Sequence, residues 1–234
     1  MTNQFDRTIT LLGDDYNRIV NKKVIIFGIG GVGAACALAL ARIGIKKLTF
    51  VDFDRVDITN LNRQIFTDLH NVGMFKCIAL KEYIERINTE IIIDYKIKKV
   101  LNNLNDFNLS EFDYVVDAID LITAKLNLIE YCSKNNINII SSMGTGNRID
   151  ASKLQIVDIF STKNDPLAKV VRRELKKRNV KKLDVVCSDE IPLKKSVREE
   201  ERGKSTPSSI SFVPPVSGYI MASYIIKKIL KGNS

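Results

Sequence analysis

Val24-Ile25-Ile26-Phe27-Gly28-Ile29-Gly30-Gly31-Val32-Gly33 is the stretch that decides the fold. Four apolar residues bounded by lysine and glycine read as a buried strand. Residues 31–43 are small and aliphatic and stop at Gly44, the pattern of a helix closed by a C-terminal glycine. Residues 48–52 supply a second strand. Strand, glycine turn, helix and strand in such a short span make a parallel crossover unit. Glycine at that turn permits the tight bend and lets backbone N–H groups approach a phosphate at the positive end of a helix. Asp52 closes the second strand, where a carboxylate meets ribose hydroxyls. Gly28, Gly30, Gly31, Gly33 and Asp52 are thus candidate nucleotide contacts. The motif alone does not choose between NAD and ATP.

Working outward, residues 73–87 read as an amphipathic helix, with Ile78, Tyr83 or Ile84, and Ile87 near helical spacing. Residues 91–97, 114–117 and 137–141 read as strands, with helices at 100–107 and 123–135 between them. This alternation predicts a Rossmann-like, doubly wound α/β sheet, mostly parallel through about residue 142. Residues 154–160 and 183–187 are strands expected to add a mixed or antiparallel extension. Between them Asp165-Pro166 is a helix start: a capping carboxylate, then proline at the first helical position. Residues 188–209 are polar and Pro/Ser-containing and read as a long mobile loop. Residues 215–231 form a closing helix. The expected organisation is one domain over 1–234, with a nucleotide-binding half at 1–142 and a substrate and dimer half at 143–234.

The composition is that of a soluble globular chain: 234 residues, 45% hydrophobic and 27% charged, which excludes a disordered one. Cys36, Cys77, Cys132 and Cys187 lie more than forty residues apart, which excludes a Cys-x-x-Cys zinc knuckle or redox pair. With a lone His70, no structural zinc is expected. Dispersed cysteines and no signal peptide point to reduced thiols in the cytoplasm. Two uncharged stretches, 24–41 and 205–226, are long enough to span a membrane. Four glycines interrupt the first, and three prolines, Gly218 and six serines interrupt the second, so no stable insertion is expected and peripheral contact is the minor reading.

The segment after Asp52 decides between nucleotides. Asn60, Arg63 and Gln64 fall just beyond the strand end, and Lys76 opens the following helix. A dinucleotide's phosphates are already held by the glycine loop, whereas a triphosphate carries more charge and suits the planar fork of arginine. Val115-Val116-Asp117-Ala118-Ile119-Asp120 ends a strand with carboxylates at the same sheet edge. Asp120 there is placed to hold Mg²⁺ beside phosphates; Asp117 instead caps or tunes the turn.

The glycine loop, Asp52, Asn60-x-x-Arg63-Gln64, Lys76 and Asp120 resemble the ubiquitin-activating-enzyme-like adenylyltransferases, the ThiF/MoeB/HesA superfamily, across nearly the whole chain. Residues 114–120, 140–146, 165–168 and 209–214 resemble one branch, the tRNA threonylcarbamoyladenosine dehydratases, which cyclise a modified adenosine beside the anticodon. The resemblance implies ATP and Mg²⁺ as cofactors. It implies Gly31 and its neighbours as phosphate cradle, and Asp52 with Lys76 as ribose and phosphate contacts. Asn60 and Arg63 become the triphosphate clamp, and Asp120 the Mg²⁺-linked carboxylate. Arg7 resembles an arginine that reaches into a partner subunit's site, making the active unit a homodimer. The residues flanking it, Gln4 and Thr8, depart from the family's arginine and glutamine. A sulfur-relay protein partner is a further implication.

The formal net charge is +9, and residues 163–182 hold nine Lys/Arg against two acids. On a helix from Pro166, Leu167, Val170, Val171 and Leu175 face inward, and Lys169, Arg172, Arg173, Lys176 and Lys177 spread over the rest. Arg172, Arg173, Lys176 and Lys177 are candidate contacts to a tRNA phosphate backbone. The reading is an ATP-dependent enzyme that adenylylates the threonyl carboxylate of a modified tRNA base and cyclises it. One rival is the same chemistry on a ubiquitin-like sulfur-carrier protein. Another is a nucleotide-sensing module without catalysis, which leaves Arg63, Lys76 and Asp120 unexplained. Cys187 reads as a small buried hydrophobe at a strand end rather than a nucleophile.

Overall fold

A computed structural model describes residues 3–101, 103–193 and 207–232. One seven-stranded sheet carries the molecule. Its strands are β1 (Lys23–Phe27), β2 (Lys47–Val51), β3 (Ile92–Lys96), β4 (Tyr114–Asp117), β5 (Ile139–Ser142), β6 (Leu154–Asp158) and β7 (Asp184–Ser188). They run in the order β3-β2-β1-β4-β5-β7-β6. All neighbours pair in parallel except β6 and β7, which run antiparallel at the edge. The order reverses between β1 and β4, and at such a switch point the strand ends open a crevice for ligands.

Helices α1 (Asp6–Leu12) and α2 (Tyr16–Val20) precede the sheet. They are followed by α3 (Gly31–Ile43), α4 (Lys76–Glu85), α5 (Ile122–Lys134), α6 (Pro166–Lys177) and α7 (Val213–Lys231). β1 and β4 are buried on both faces, which their unbroken apolar runs require. One face packs α3 and α7 together: a side chain on Gly218 of α7 would overlap the Val32 carbonyl oxygen on α3. Phe27 meets Phe107 edge to face at 5.2 Å on the other face, within a second core that includes Leu128 and Cys132 of α5. A third core, around α6 and β7, gathers Ile159, Val171, Leu175 and Val185.

Several expectations change. The helix expected at 100–107 is instead two short 3₁₀ turns, Leu104–Phe107 and Leu109–Glu111, separated by Asn108 in the left-handed conformation at φ 44°. The helix expected from 73 begins at Lys76, because Gly73 has φ 91° and Phe75 is extended, and its buried inward residue is Ile84 rather than Tyr83. On α6 the buried residues are Ala168, Val171 and Leu175, while Leu167 and Val170 are half-buried. The N-terminal segment is not a free arm: Phe5 is buried, with its ring 6.3 Å from that of Tyr16. Of the loop expected at 188–209, residues 194–206 lie outside the described residues. Its stems meet on Asn147, whose carbonyl accepts from Leu193 and whose N–H donates to Ser208, both at 2.8 Å. No helix among the described residues is long and apolar enough to cross a membrane.

Candidate nucleotide site at the sheet edge

The glycine loop joins β1 to α3, and at Gly28 and Gly33 its geometry tolerates no larger residue. Gly28 has φ 87°, and a Cβ there would lie 2.5 Å from the Ala118 oxygen. A Cβ on Gly33 would overlap the Gly28 carbonyl. Gly30 caps α3 without any side-chain hydrogen bond, so no capping side chain takes up the first-turn amides. Gly31 faces Pro214, the Arg63 backbone and the Arg63 Cγ at 2.9–3.4 Å from where its Cβ would be. The Arg63 stem therefore lies across the start of α3.

Asp52 ends β2 beside this loop. Its two carboxylate oxygens accept from the Ile29 amide at 2.6 Å and the Asp54 amide at 2.7 Å. Burial raises its pKa above the usual carboxylate range, against the lowering pull of Lys76. Lys76, expected to face phosphates, is buried at the start of α4, with Nζ 2.8 Å from the half-exposed Asp54 carboxylate. Here the ion pair occupies the ammonium, because the turn after β2 brings Asp54 under it.

The turn at Ile58–Asn60 explains Asn60 differently from the sequence reading. Asn60 is buried and accepts from the Asp57 amide at 3.1 Å, closing a capping box with Asp57. Arg63 Nη1 donates to the Thr59 carbonyl at 3.1 Å and to Asn62 Oδ1 at 2.8 Å, and burial lowers its pKa. Gln64 is 3% exposed, and its Oε1 has no hydrogen-bond partner among the described residues. Such an orphan is costly unless something else supplies the donor.

The carboxylates of β4 divide. Asp120 is exposed, on the turn between β4 and α5. Asp117 is fully buried: it accepts from Lys125 Nζ at 2.8 Å, Ser141 Oγ at 2.6 Å and the Ile119 amide at 3.1 Å. The turn-capping role is the one it takes. Lys125 was missed in the sequence, although one lysine on the apolar face of a helix that follows a strand-end aspartate is a readable signal.

Arg7 is exposed on the first turn of α1, with no hydrogen bond or ion pair among the described residues. The basic helix is partly balanced, contrary to expectation. Glu174 meets Arg173 at 3.1 Å and Lys177 at 3.0 Å, and Arg178 meets Glu130 at 2.6 Å. Arg172 donates to the Thr162 carbonyl and hydroxyl at 2.7 and 2.6 Å, so it ties α6 to the preceding turn. Lys176 is exposed and sits 5.9 Å above the Phe160 ring. A groove of about 530 Å³ on this face is lined by Pro166, Lys169, Val170, Arg172, Arg173 and Lys176.

Sequence reasoning also missed the cluster around Arg148. Its guanidinium donates to Asp165 at 3.2 Å, to Gly144 and Asn164 carbonyls, and to the Glu190 carbonyl. Asp165 also caps α6 through the Ala168 amide at 2.8 Å, as its place before proline predicts. Cys187 borders this cluster, and burial pushes its thiol up to about 12. No three His, Cys, Asp or Glu side chains form a metal group among the described residues.

The ThiF family model matches residues 5–234. The chain belongs to the ThiF family. This ThiF-family chain is 40% identical over 244 residues to a tRNA threonylcarbamoyladenosine dehydratase of Bacillus subtilis, covering 99% of the chain and 96% of that protein. To the enzyme of the same name from Haemophilus influenzae it is 34% identical, over 94% of the chain and 90% of that protein. The crystal structure of the E. coli dehydratase TcdA in complex with AMP superposes with a TM-score of 0.89 at 31% identity. It covers 97% of the chain and 94% of the TcdA chain.

Proposed function

We propose that this chain is an ATP-dependent tRNA threonylcarbamoyladenosine dehydratase. The observation that carries the reading is the Arg63 stem lying against Gly31 at the start of α3, whose cap makes no side-chain hydrogen bond. Near-full-length similarity to two named dehydratases supports the choice of substrate.

ATP fits this chemistry: uncapped amides at the start of α3, a partly desolvated guanidinium and a ribose-range carboxylate. Gly28, Gly30, Gly31, Gly33, Asp52, Asn60, Arg63, Gln64 and Lys76 form the nucleotide site, with Asn60 shaping the turn rather than touching phosphate. Asp120 is the carboxylate placed for Mg²⁺ held chiefly by phosphate oxygens, a role that needs no three-carboxylate cage.

The threonyl carboxylate attacks the α-phosphorus, and pyrophosphate leaves. The neighbouring carbamoyl group then closes on the activated carbonyl, and AMP leaves. Arg63 and the α3 amides neutralise charge that grows on the phosphates, while Lys76 exchanges Asp54 for a phosphate oxygen. The groove on α6 takes the RNA backbone through Lys169, Arg173, Lys176 and Lys177, with Arg172 holding the helix. Arg7 completes the site of a partner copy in a homodimer.

AMP formation is expected with threonylcarbamoylated tRNA and only background with unmodified tRNA, because the modified base alone offers the carboxylate. Equal turnover on a Gly-Gly-tailed carrier protein would replace this reading. For the dimer, inactive Arg7→Ala and Asp120→Ala chains, once mixed, should recover up to about a quarter of the activity, the statistical share of intact sites.

A further inference from the structure

We infer that Lys125 and Asp117 are positioning residues that hold the 118–121 turn, and with it Asp120, against the nucleotide site. The inference rests on the reading of Asp120 given above. Both side chains are 0% exposed, and both carry polar partners. The Lys125 ammonium donates to Asp117 Oδ2 at 2.8 Å, Ser141 Oγ at 3.1 Å and the Ser142 carbonyl at 3.0 Å. Its three protons are used.

Asp117 Oδ1 accepts the Ile119 amide at 3.1 Å, inside the turn. At the other end of the turn, the Lys125 amide donates to the Leu121 carbonyl at 3.0 Å, the first helical bond of α5. The ion pair therefore grips the start of the segment that carries Asp120 through Asp117, and the first turn of α5, anchored by the buried Lys125 side chain, holds its end. Above it, the Ala118 amide donates to the Phe27 carbonyl at 2.8 Å, and the Ala118 carbonyl lies against Gly28. The turn rests on the glycine loop on one side and on the buried pair on the other. Ser142 extends the network to Ser217 of α7 at 2.9 Å, on the helix that packs against α3.

Stability does not account for such a pair. A buried ion pair is often no better for folding than well-packed apolar residues of the same volume. What it does supply is direction, since a charge-paired carboxylate fixes the amide it accepts. A catalytic carboxylate on an exposed turn needs that support, because slack in the supporting residues costs rate rather than binding.

The test is the neutral double variant Asp117→Asn/Lys125→Met, which leaves no buried charge unpaired. We expect it to fold, to bind AMP within about threefold of wild type, and to lose at least tenfold in kcat for AMP formation with KM for ATP nearly unchanged. Amide exchange of residues 118–121 should quicken at least tenfold while β1 stays protected. Ser141→Ala removes one hydrogen bond from Asp117 and one from Lys125 while keeping both charges. If the double variant does not fold, Ser141→Ala carries the test, with a several-fold loss of kcat and the same exchange signature. Wild-type kcat and unchanged exchange in the folded variant overturn the inference, and if Asp120→Asn is inactive in parallel the Asp120 reading stands. An active Asp120→Asn enzyme overturns both.

Discussion

Two lysine–carboxylate pairs stand at the same edge of the sheet, and both close at 2.8 Å. Lys76 pairs with Asp54, whose side chain is 48% exposed, while Lys125 and Asp117 are sealed at 0% each. The first pair is open on the Asp54 side. The second has every donor and acceptor satisfied. The contrast separates two uses of the same chemistry. A pair with one solvated partner can exchange that partner for a phosphate at small cost. A buried pair cannot exchange, and it shapes the backbone around it instead.

Removing one lysine at a time is the strongest way to break this comparison. Lys125→Met leaves Asp117 buried and unpaired, and should destabilise the fold by about 3–5 kcal/mol in chemical denaturation. Lys76→Met leaves only a half-exposed Asp54, so the loss should stay near the ~0–1 kcal/mol of a surface pair. Nucleotide affinity should follow the opposite order among variants that fold, with AMP binding weakened mainly by Lys76→Met. Equal destabilisation would erase the distinction.

The two pairs also differ in how far the sequence announces them. The glycine loop, Asp52 and Arg63 are legible because backbone demands fix their spacing: Gly28 and Gly33 have no room for another side chain. Lys125 could be read from the strand-end Asp117 eight residues before it, but its further partner Ser141 comes with sheet pairing, and Arg148 meets Asp165 only through the fold. The strand order was open for the same reason, although the alternation foretold a parallel sheet with an antiparallel edge. The helix expected at 100–107 failed because its apolar residues serve a loop that packs Phe107 on Phe27. The helix charge on α6 was legible in number, but its balance by Glu174 and Glu130 was a matter of geometry.

That partial balance sharpens what to expect of α6. Replacing Lys169 or Lys176, which have no acidic partner within salt-bridge range among the described residues, should weaken tRNA binding and reduce the log–log salt slope by about one unit per phosphate contact. Arg173 and Lys177 share Glu174, so each should show a smaller change in filter binding across a salt series. Arg172→Gln should lower thermal stability as well, because it unties Thr162. A slope unchanged in all of them would make the helix an ordinary solvated face.

At the open site, pH offers a subtler probe. Burial raises the Asp52 pKa, so the carboxylate takes up its proton above its ordinary 3.8. The ionised form is the one that accepts amides and ribose hydroxyls, so AMP affinity should fall as pH drops, beginning above that value. The stability term has the other sign: with a raised folded pKa it is present below 3.8 and is lost as pH rises through the folded value. Calorimetric AMP titrations from pH 7 downward should show the decline, and Asp52→Asn should flatten it.

The smallest effect is expected at Cys187, which belongs to the closed kind of cluster. Its thiol lies 3.7 Å from an Asp165 carboxylate already held by Arg148 and the Gly144 and Ala168 amides. Burial first, and then the charge of Asp165, push its pKa up to about 12, so almost no thiolate exists at neutral pH. A thiol in that state is a poor nucleophile. Cys187→Ala should therefore leave AMP formation within about twofold of wild type, at a folding cost of about 1 kcal/mol for the lost packing and weak hydrogen bond. Iodoacetamide at pH 7 should leave Cys187 unlabelled in the native protein and modify it after denaturation, as read by peptide mass. Rapid labelling of the native chain, with activity lost in step, would place a working nucleophile here and move Cys187 from the closed cluster to the open one.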